Sequence, residues 1–492
     1  MSRYWILAAI LLPILGGAVI PLLPFKNRKQ MLIYIEAVTA LTSCIVWGIL
    51  SQGTTEVFHV VYFVENLSIS FKVDGLTMVF AGLVSILWPL ATLYAFEYME
   101  HERHDNFFFM FYTITYGITL GIAFASDMLS MYFFYELLTL STIPLVMFTL
   151  KREAILAVRS YIYYSLGGAA FALMGLVFLM VYGGNNLEFV MGGILNLEKI
   201  GDKTNILLWI YFFAFMGFGV KAAIWPLSAW LPQAGVAPTP VTALLHAVAV
   251  VKAGVFAIIR LTYYSFGTEF LKGTWVQAAV MGFAMITIVY GCSKAVKENH
   301  IKRRLAYSTV SNLSYIIFGV TLMTPQGLVG ALCHMVCHAF MKICAFCCAG
   351  AFMHRTGKAY VSEMEGIGRK MPVVFGCFAV SALGLMGVPG TAGFISKWNL
   401  AVAAVESGNV QAYFGVACLL ISALLTAIYM MTVVIKAFFP RCDGNVQVIE
   451  NASDPGWMMK LSLLIFAAAI IVLGICSGSM VEFFEQIAAG IY

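Results

Sequence analysis

Gly387-Val388-Pro389-Gly390-Thr391-Ala392-Gly393-Phe394-Ile395-Ser396-Lys397 cuts an apolar run that otherwise extends from 372 to 402. Proline lacks an amide donor and disrupts the turn before it, so no helix runs straight through this stretch. Unwound backbone at membrane depth survives only when packed in protein or lining a hydrated cavity. A second stretch has the same character: Lys221 is followed by Trp225-Pro226 and then by Pro232, Pro238 and Pro240. Each break stands beside a lysine. They fall in the seventh and twelfth apolar segments, five apart and so oppositely oriented, as an inverted repeat requires.

The composition agrees. Of 492 residues, 61% are hydrophobic and 11% charged, whereas soluble chains are about 45–50% apolar and about 25% charged. No water-soluble globule of this length can hide so much apolar side chain. Soluble enzymes, nucleic-acid binders and disordered scaffolds are therefore excluded. At roughly 20 apolar residues per spanning helix, the pattern predicts an all-α polytopic membrane protein of about 14 helices. The predicted spans are 4–24, 30–51, 75–98, 107–126, 128–150, 155–182, 205–226, 239–263, 275–293, 302–323, 327–353, 372–402, 411–438 and 458–481. The strands of a β-barrel would instead be about ten residues long with alternating polarity. The first segment lacks a small-residue cleavage site and is expected to stay as a span.

Basic residues set the orientation. With the N-terminus outside, inward loops hold nineteen of the 29 Lys and Arg residues, Lys302 and Arg304 among them. Outward segments hold six: Arg3, Lys72, Lys199, Lys203, Arg260 and Lys272. The positive-inside rule then predicts both termini on the outer side of the plasma (cell inner) membrane. The net charge of +5 is mostly this topological signal and implies no nucleic-acid partner.

Five of the eleven cysteines (Cys333, Cys337, Cys344, Cys347, Cys348) share one apolar segment, where they read as small hydrophobes. Cys344-x-x-Cys347 has no second pair to complete a metal site, and no disulfide framework is implied. The connections at 51–74, 183–204, 354–371 and 440–457 hold fewer than about 25 residues each, too few for a domain. There is no Gly-rich phosphate loop and no four-cysteine set. The chain is expected to carry no cofactor of its own; any Fe-S cluster, flavin or NiFe centre would sit in partner subunits.

Ionisable groups inside spans cost roughly 2.5–3.5 kcal/mol each, so each is a functional candidate. They are Glu136 in the fifth span, Lys221 beside the first break, Lys252 with His246 in the eighth, His334, His338 and Lys342 in the eleventh, and Lys397. The i, i+4, i+8 spacing of His334, His338 and Lys342 places them on one helix face over about 12 Å. Static ion pairing accounts for Glu136 with Lys221, but it leaves three lysines with no mid-membrane carboxylate. Desolvation eases the deprotonation of lysine and a nearby carboxylate reverses this; histidines titrate near neutrality and suit the links between them. Such a chain of groups is what a proton path requires. His334 and His338 could also bind zinc, but no third ligand is apparent. A small-molecule transporter would need a roomy midplane cavity, which the sequence does not exclude.

At these residues the chain resembles the antiporter-like membrane subunits shared by respiratory complex I, energy-converting membrane-bound hydrogenases and Mrp-type cation/proton antiporters. The matching segments are Val73-Asp74-Gly75-Leu76, Tyr135-Glu136, Val220-Lys221 through Trp225-Pro226-Leu227, Trp230-Leu231-Pro232, Ala237-Pro238-Thr239-Pro240 through His246, Lys302-Arg303-Arg304-Leu305-Ala306-Tyr307-Ser308-Thr309, His334 to Lys342, and Gly393-Phe394-Ile395-Ser396-Lys397.

The resemblance implies N-terminal helices 1–3 in 1–106 and a first inverted repeat (helices 4–8) in 107–263. A second repeat (helices 9–13) would occupy 275–438, and C-terminal helix 14 would lie in 439–492. It implies that Glu136 and Lys221 form the modulating pair of one half-channel and that Lys252, with His246, leads to a central axis. His334, His338 and Lys342 would continue that axis through a broken eleventh helix to Lys397, the terminal lysine of the other half-channel. It implies other membrane subunits of one hetero-oligomeric complex as partners, and H⁺ or Na⁺ as the ion moved. The chain departs from the pattern at Ser228, Gln233, Gly235 and His300, near the expected inner surface. Two functions stand: a proton-translocating subunit of a redox-driven complex, or a subunit of a multi-subunit Mrp-type Na⁺/H⁺ antiporter. A structural subunit with relic charges is a third reading, against which the intact Glu136, Lys221, Lys252 and Lys397 count.

Overall fold

In hydrocarbon every backbone donor needs a partner, and the helix starts show where the chain finds them. Asp74 accepts from the Thr77 amide, Asp127 from that of Ser130 and Thr324 from that of Gly327. Pro325 and Pro372 stand in the first turn, where a missing amide costs nothing. Two acids cap helices far away in sequence. Glu97 accepts from the amides of Gly456 and Met459, and Asp454 from those of Val373 and Val374.

The computed structural model describes residues 2–64, 67–102, 104–184, 187–440 and 452–491. Twelve helices among them are long and apolar enough to cross a membrane. Two predicted spans are missing from that number. Ile301–Thr321 is helical, but it carries Lys302, Arg303, Arg304 and a run of Ser, Thr and Asn. The 372–402 segment is two helices, Pro372–Met386 and Ala392–Glu406, with Gly387 and Gly390 at φ +89° and +86° between them.

Elsewhere the helices depart from expectation in four places. The eighth predicted span is not one helix: Thr239–Ala247 and Val250–Ile259 are separated at Val248 and Ala249, and a π-helical turn follows at Arg260–Phe266. No Pro or Gly marks that break, which lies in a β-branched run (Val248, Val250, Val251) of weak helix propensity. The eleventh, expected to be broken, is one continuous helix, Pro325–Thr356. Phe58–Val64 and Leu67–Phe71 pair as a two-stranded antiparallel sheet. The last predicted span divides into Trp457–Ile475 and Gly478–Ala488. Arg103 and Arg441, counted as inward charges, lie outside the described residues, as does part of the 439–492 segment.

Burial separates an inner from an outer set. The apolar window of Thr239–Phe266 is 100% buried and that of Pro325–Thr356 is 94% buried, against 39% for Arg152–Tyr182, Val410–Phe438 and Trp457–Ile475. Pro325–Thr356 is the hub: it packs on Gly75–Tyr98, Thr239–Ala247, Ile301–Thr321, both halves of the 372–406 segment, and the two C-terminal helices. His334, His338 and Lys342 stand on the hub, and His246 and Lys397 on elements packed against it.

Candidate functional site

Lys221 is the last residue of Thr204–Lys221, and the chain turns sharply after it through Ala223 at φ +56°. Its ammonium is buried. It donates to the Tyr135 backbone carbonyl and lies 3.4 Å from the centroid of the Tyr135 ring. Glu136, the next residue, makes no ion pair with Lys221 among the described residues, and its Oε1 is buried without a hydrogen-bond partner. The two charges are neighbours rather than a locked pair.

The helix carrying Lys252 crosses the end of Thr204–Lys221 backbone to backbone. A Cβ on Gly254 would lie 2.5 Å from the Ala222 nitrogen, so only glycine permits this approach. Fully buried Lys252 reaches across to the hub and meets His338 Nδ1 at 2.9 Å. One turn along, the His334 ring centroid is 5.7 Å from that of His338. His334 Nδ1 is 2.9 Å from Ser396 Oγ, and Ser396 precedes Lys397. Lys397 turns back across the break to donate to the Leu385 and Met386 carbonyls at 2.6 and 3.0 Å. Those are the last carbonyls of the preceding half-helix, where a cation is favoured. The Tyr315 ring lies between: its centroid is 5.0 Å from the His334 ring and 5.4 Å from Lys397 Nζ.

Two predicted members stand apart from this line. Lys342 donates to the Leu305 carbonyl at 3.1 Å. His246 stacks on Phe346 at 4.6 Å, and neither of its nitrogens has a hydrogen-bond partner. His334 Nε2 and His338 Nε2 are likewise buried and unpartnered. Of the departures from the family pattern, Ser228 is buried, Gln233 is exposed in the short helix Trp230–Ala234, and Gly235 ends that helix. His300 caps Ile301–Thr321 with its Nδ1 unpartnered. Among the described residues, no group of three His, Cys, Asp or Glu side chains could hold a metal.

Sequence reasoning missed a buried ion pair. Arg260, taken for an outward loop residue, is fully buried and bonds Asp74 at 2.6 and 2.8 Å. The rings of Phe189, Phe256 and Tyr264 surround its guanidinium at 4.8, 5.2 and 4.7 Å. The signal was available, since position 260 lies inside the predicted 239–263 span. Lys302 and Arg304, taken for inward-loop charges, are also buried; Lys302 donates to the Ala237 carbonyl at 2.9 Å and Arg304 to that of Tyr429 at 2.9 Å.

The fold and this line of groups define an antiporter-like membrane subunit, and comparison with known proteins agrees. The model of the NADH:quinone oxidoreductase/Mrp antiporter transmembrane family matches residues 125–426. That of the complex I chain 5 N-terminus matches residues 64–109. The chain belongs to the NADH:quinone oxidoreductase/Mrp antiporter family. It is 30% identical over 434 residues to NADH-quinone oxidoreductase subunit N of Desulforudis audaxviator, covering 84% of this chain and 83% of the relative. It is 27% identical over 466 residues to an NAD(P)H-quinone oxidoreductase chain 4 of Trichodesmium erythraeum, covering 91% and 80%. Its fold matches a chain of an archaeal respiratory complex, the membrane-bound sulfane sulfur reductase, with TM-score 0.85 at 22% identity over 99% of this chain and 97% of that one. A chain of the Mrp complex from Dietzia sp. matches with TM-score 0.84 at 20% identity, over 100% and 97%.

Proposed function

We propose that this chain is the proton-translocating subunit of a redox-driven membrane complex of the complex I or membrane-bound hydrogenase type. The observation that carries the reading is the buried line of contacts from Lys252 through His338 and His334 to Ser396, with half-buried Lys397 next to Ser396 in the chain and held across the helix break. The lysines and histidines of this line gain and lose protons, and the unpartnered histidine nitrogens are where water molecules would complete a relay. Glu136 and Lys221 serve one half-channel and Lys397 the other, with Lys342 and His246 flanking the axis. Two inverted repeats, 107–263 and 275–438, fit the way each half-channel lysine lies over a tyrosine ring, Tyr135 or Tyr315.

Both termini face outward from the plasma membrane, and the chain's partners are further membrane subunits, some of which carry the redox centres. The match to an Mrp chain over the full length favours a second reading, a Na⁺/H⁺ antiporter subunit. Co-purifying subunits separate the two: hydrogenase-like or quinone-site proteins against small cation-antiporter proteins.

Glu136→Gln tests the reading. Removing the acid beside Lys221 is expected to change proton occupancy at that lysine about tenfold. Proton flux in vesicles carrying the whole complex is expected to fall by about that factor, with native gels showing normal assembly. Wild-type flux would sink the proposal. Lys342→Met keeps an unbranched side chain one atom shorter and removes the titrating amine; flux is expected to drop about tenfold, within the range for a lost proton-transfer group. Unchanged flux would place Lys342 off the path.

A further inference from the structure

We infer that Ser396 carries the proton between His334 and Lys397, a step that rests on the transport reading above. Ser396 is fully buried, and its Oγ has two partners: His334 Nδ1 at 2.9 Å and the Gly393 carbonyl at 3.1 Å. A hydroxyl has one proton, and a carbonyl only accepts. With that proton given to Gly393, the Ser396 oxygen receives the Nδ1–H of His334. The hydroxyl therefore stands as proton acceptor for the axis and donor toward the helix break.

Lys397 Nζ lies across the same break. A Cβ placed on Gly387 would be 3.6 Å from Nζ and 3.7 Å from the Gly393 oxygen, so both border one small space that the bare glycine leaves open. Gly393 itself has no room for a side chain, since a Cβ there would lie 1.8 Å from the Gly384 oxygen. The two half-helices are thus pressed together at Gly393, whose carbonyl holds the hydroxyl and borders the same space as the lysine.

The step balances simply. Charged His334 releases its Nδ1 proton to Ser396 Oγ while the serine's own proton leaves the Gly393 carbonyl for the neutral Lys397 amine. Neutral His334, an intact hydroxyl and charged Lys397 remain. Rotation about the serine Cα–Cβ bond is the only side-chain movement required of Ser396, and Lys397 moves between the Leu385 and Met386 carbonyls and the space beside Gly387.

The test uses the whole complex in vesicles, with Ser396→Ala and Ser396→Thr. Alanine removes one oxygen and no carbon, so assembly on native gels is expected to be normal while proton flux falls at least about tenfold. Threonine restores the hydroxyl and is expected to keep at least half of wild-type flux. In ¹⁵N-histidine-labelled complex, the signal lost in His334→Gln is expected to report an Nδ1-protonated ring, and this signal is expected to change in Ser396→Ala and persist in Ser396→Thr. Normal flux in Ser396→Ala overturns the relay, as do equal losses in both serine variants, which would mean packing. A flux that also survives Lys397→Ala overturns the transport reading itself; normal Ser396→Ala flux beside an inactive Lys397→Ala overturns only the serine step.

Discussion

Lys397→Arg is expected to leave the complex assembled and to stop ion movement. Arginine keeps the positive charge and can still donate to the Leu385 and Met386 carbonyls that hold the ammonium. It can also still face the Tyr315 ring. What it cannot do is deprotonate, since its pKa is above about 12. A relay through Lys397 needs the neutral amine in every cycle, so flux should fall to background. Lys397→Ala is expected to be equally inactive. Proton or sodium flux in vesicles carrying the complex, with assembly followed on native gels, distinguishes the cases. Near-normal flux in an assembled Lys397→Arg variant would mean that the lysine acts as a fixed charge.

Arg260→Leu is expected to have the largest effect on stability. The guanidinium and the Asp74 carboxylate make two hydrogen bonds where the eighth predicted span meets the start of Gly75–Tyr98. Removing one partner of a buried pair costs about 3–5 kcal/mol, and Lys72, 3.8 Å from the Asp74 carboxylate, offsets only part of that loss. That is a large part of the ~5–15 kcal/mol by which folded proteins are usually stable. The variant should accumulate poorly and unfold at lower temperature in detergent, and Asp74→Asn in the same chain should recover part of the loss. No loss in Arg260→Leu would show that water reaches the pair.

The pH dependence of this pair follows from the acid. Burial by itself would raise the Asp74 carboxyl, but the Arg260 guanidinium, its hydrogen bonds and Lys72 outweigh this and hold it at about 2. A depressed carboxyl stabilises fully above its ordinary value of about 3.9 and loses that contribution only as pH falls toward 2. Between pH 5 and 8 the melting temperature of wild type should therefore carry no transition from this group.

Much of the molecule was legible in the residues. Apolar runs of spanning length are long, and a charge among them is conspicuous because hydrocarbon penalises it. Glu136, Lys221, Lys252, His246, His334, His338, Lys342 and Lys397 could therefore be named before any contact was known. Proline and glycine marked the breaks after Lys221 and at 387–391, since both act through the local backbone.

The contacts belong to the tertiary structure. Helical periodicity placed His334, His338 and Lys342 on one face, yet it could not show that Lys252 meets His338 while Lys342 is held by a carbonyl of Ile301–Thr321. It likewise missed the interruption at Val248 and Ala249, and the break that the family resemblance implied in Pro325–Thr356 is not there. The serine beside Lys397 drew no attention, because a hydroxyl costs little in a helix and signals nothing until its partner is known. Arg260 looked like a loop charge because its acid lies 186 residues away in the chain. The sequence by itself determined a polytopic membrane helix bundle with a set of titratable groups inside it, because burial and backbone breaks are local properties of composition. Which of those groups touch was decided only when the helices packed, because hydrogen bonds a few ångströms long depend on crossing points set by residues distant in sequence, such as Gly254 against Ala222 and Gly393 against Gly384.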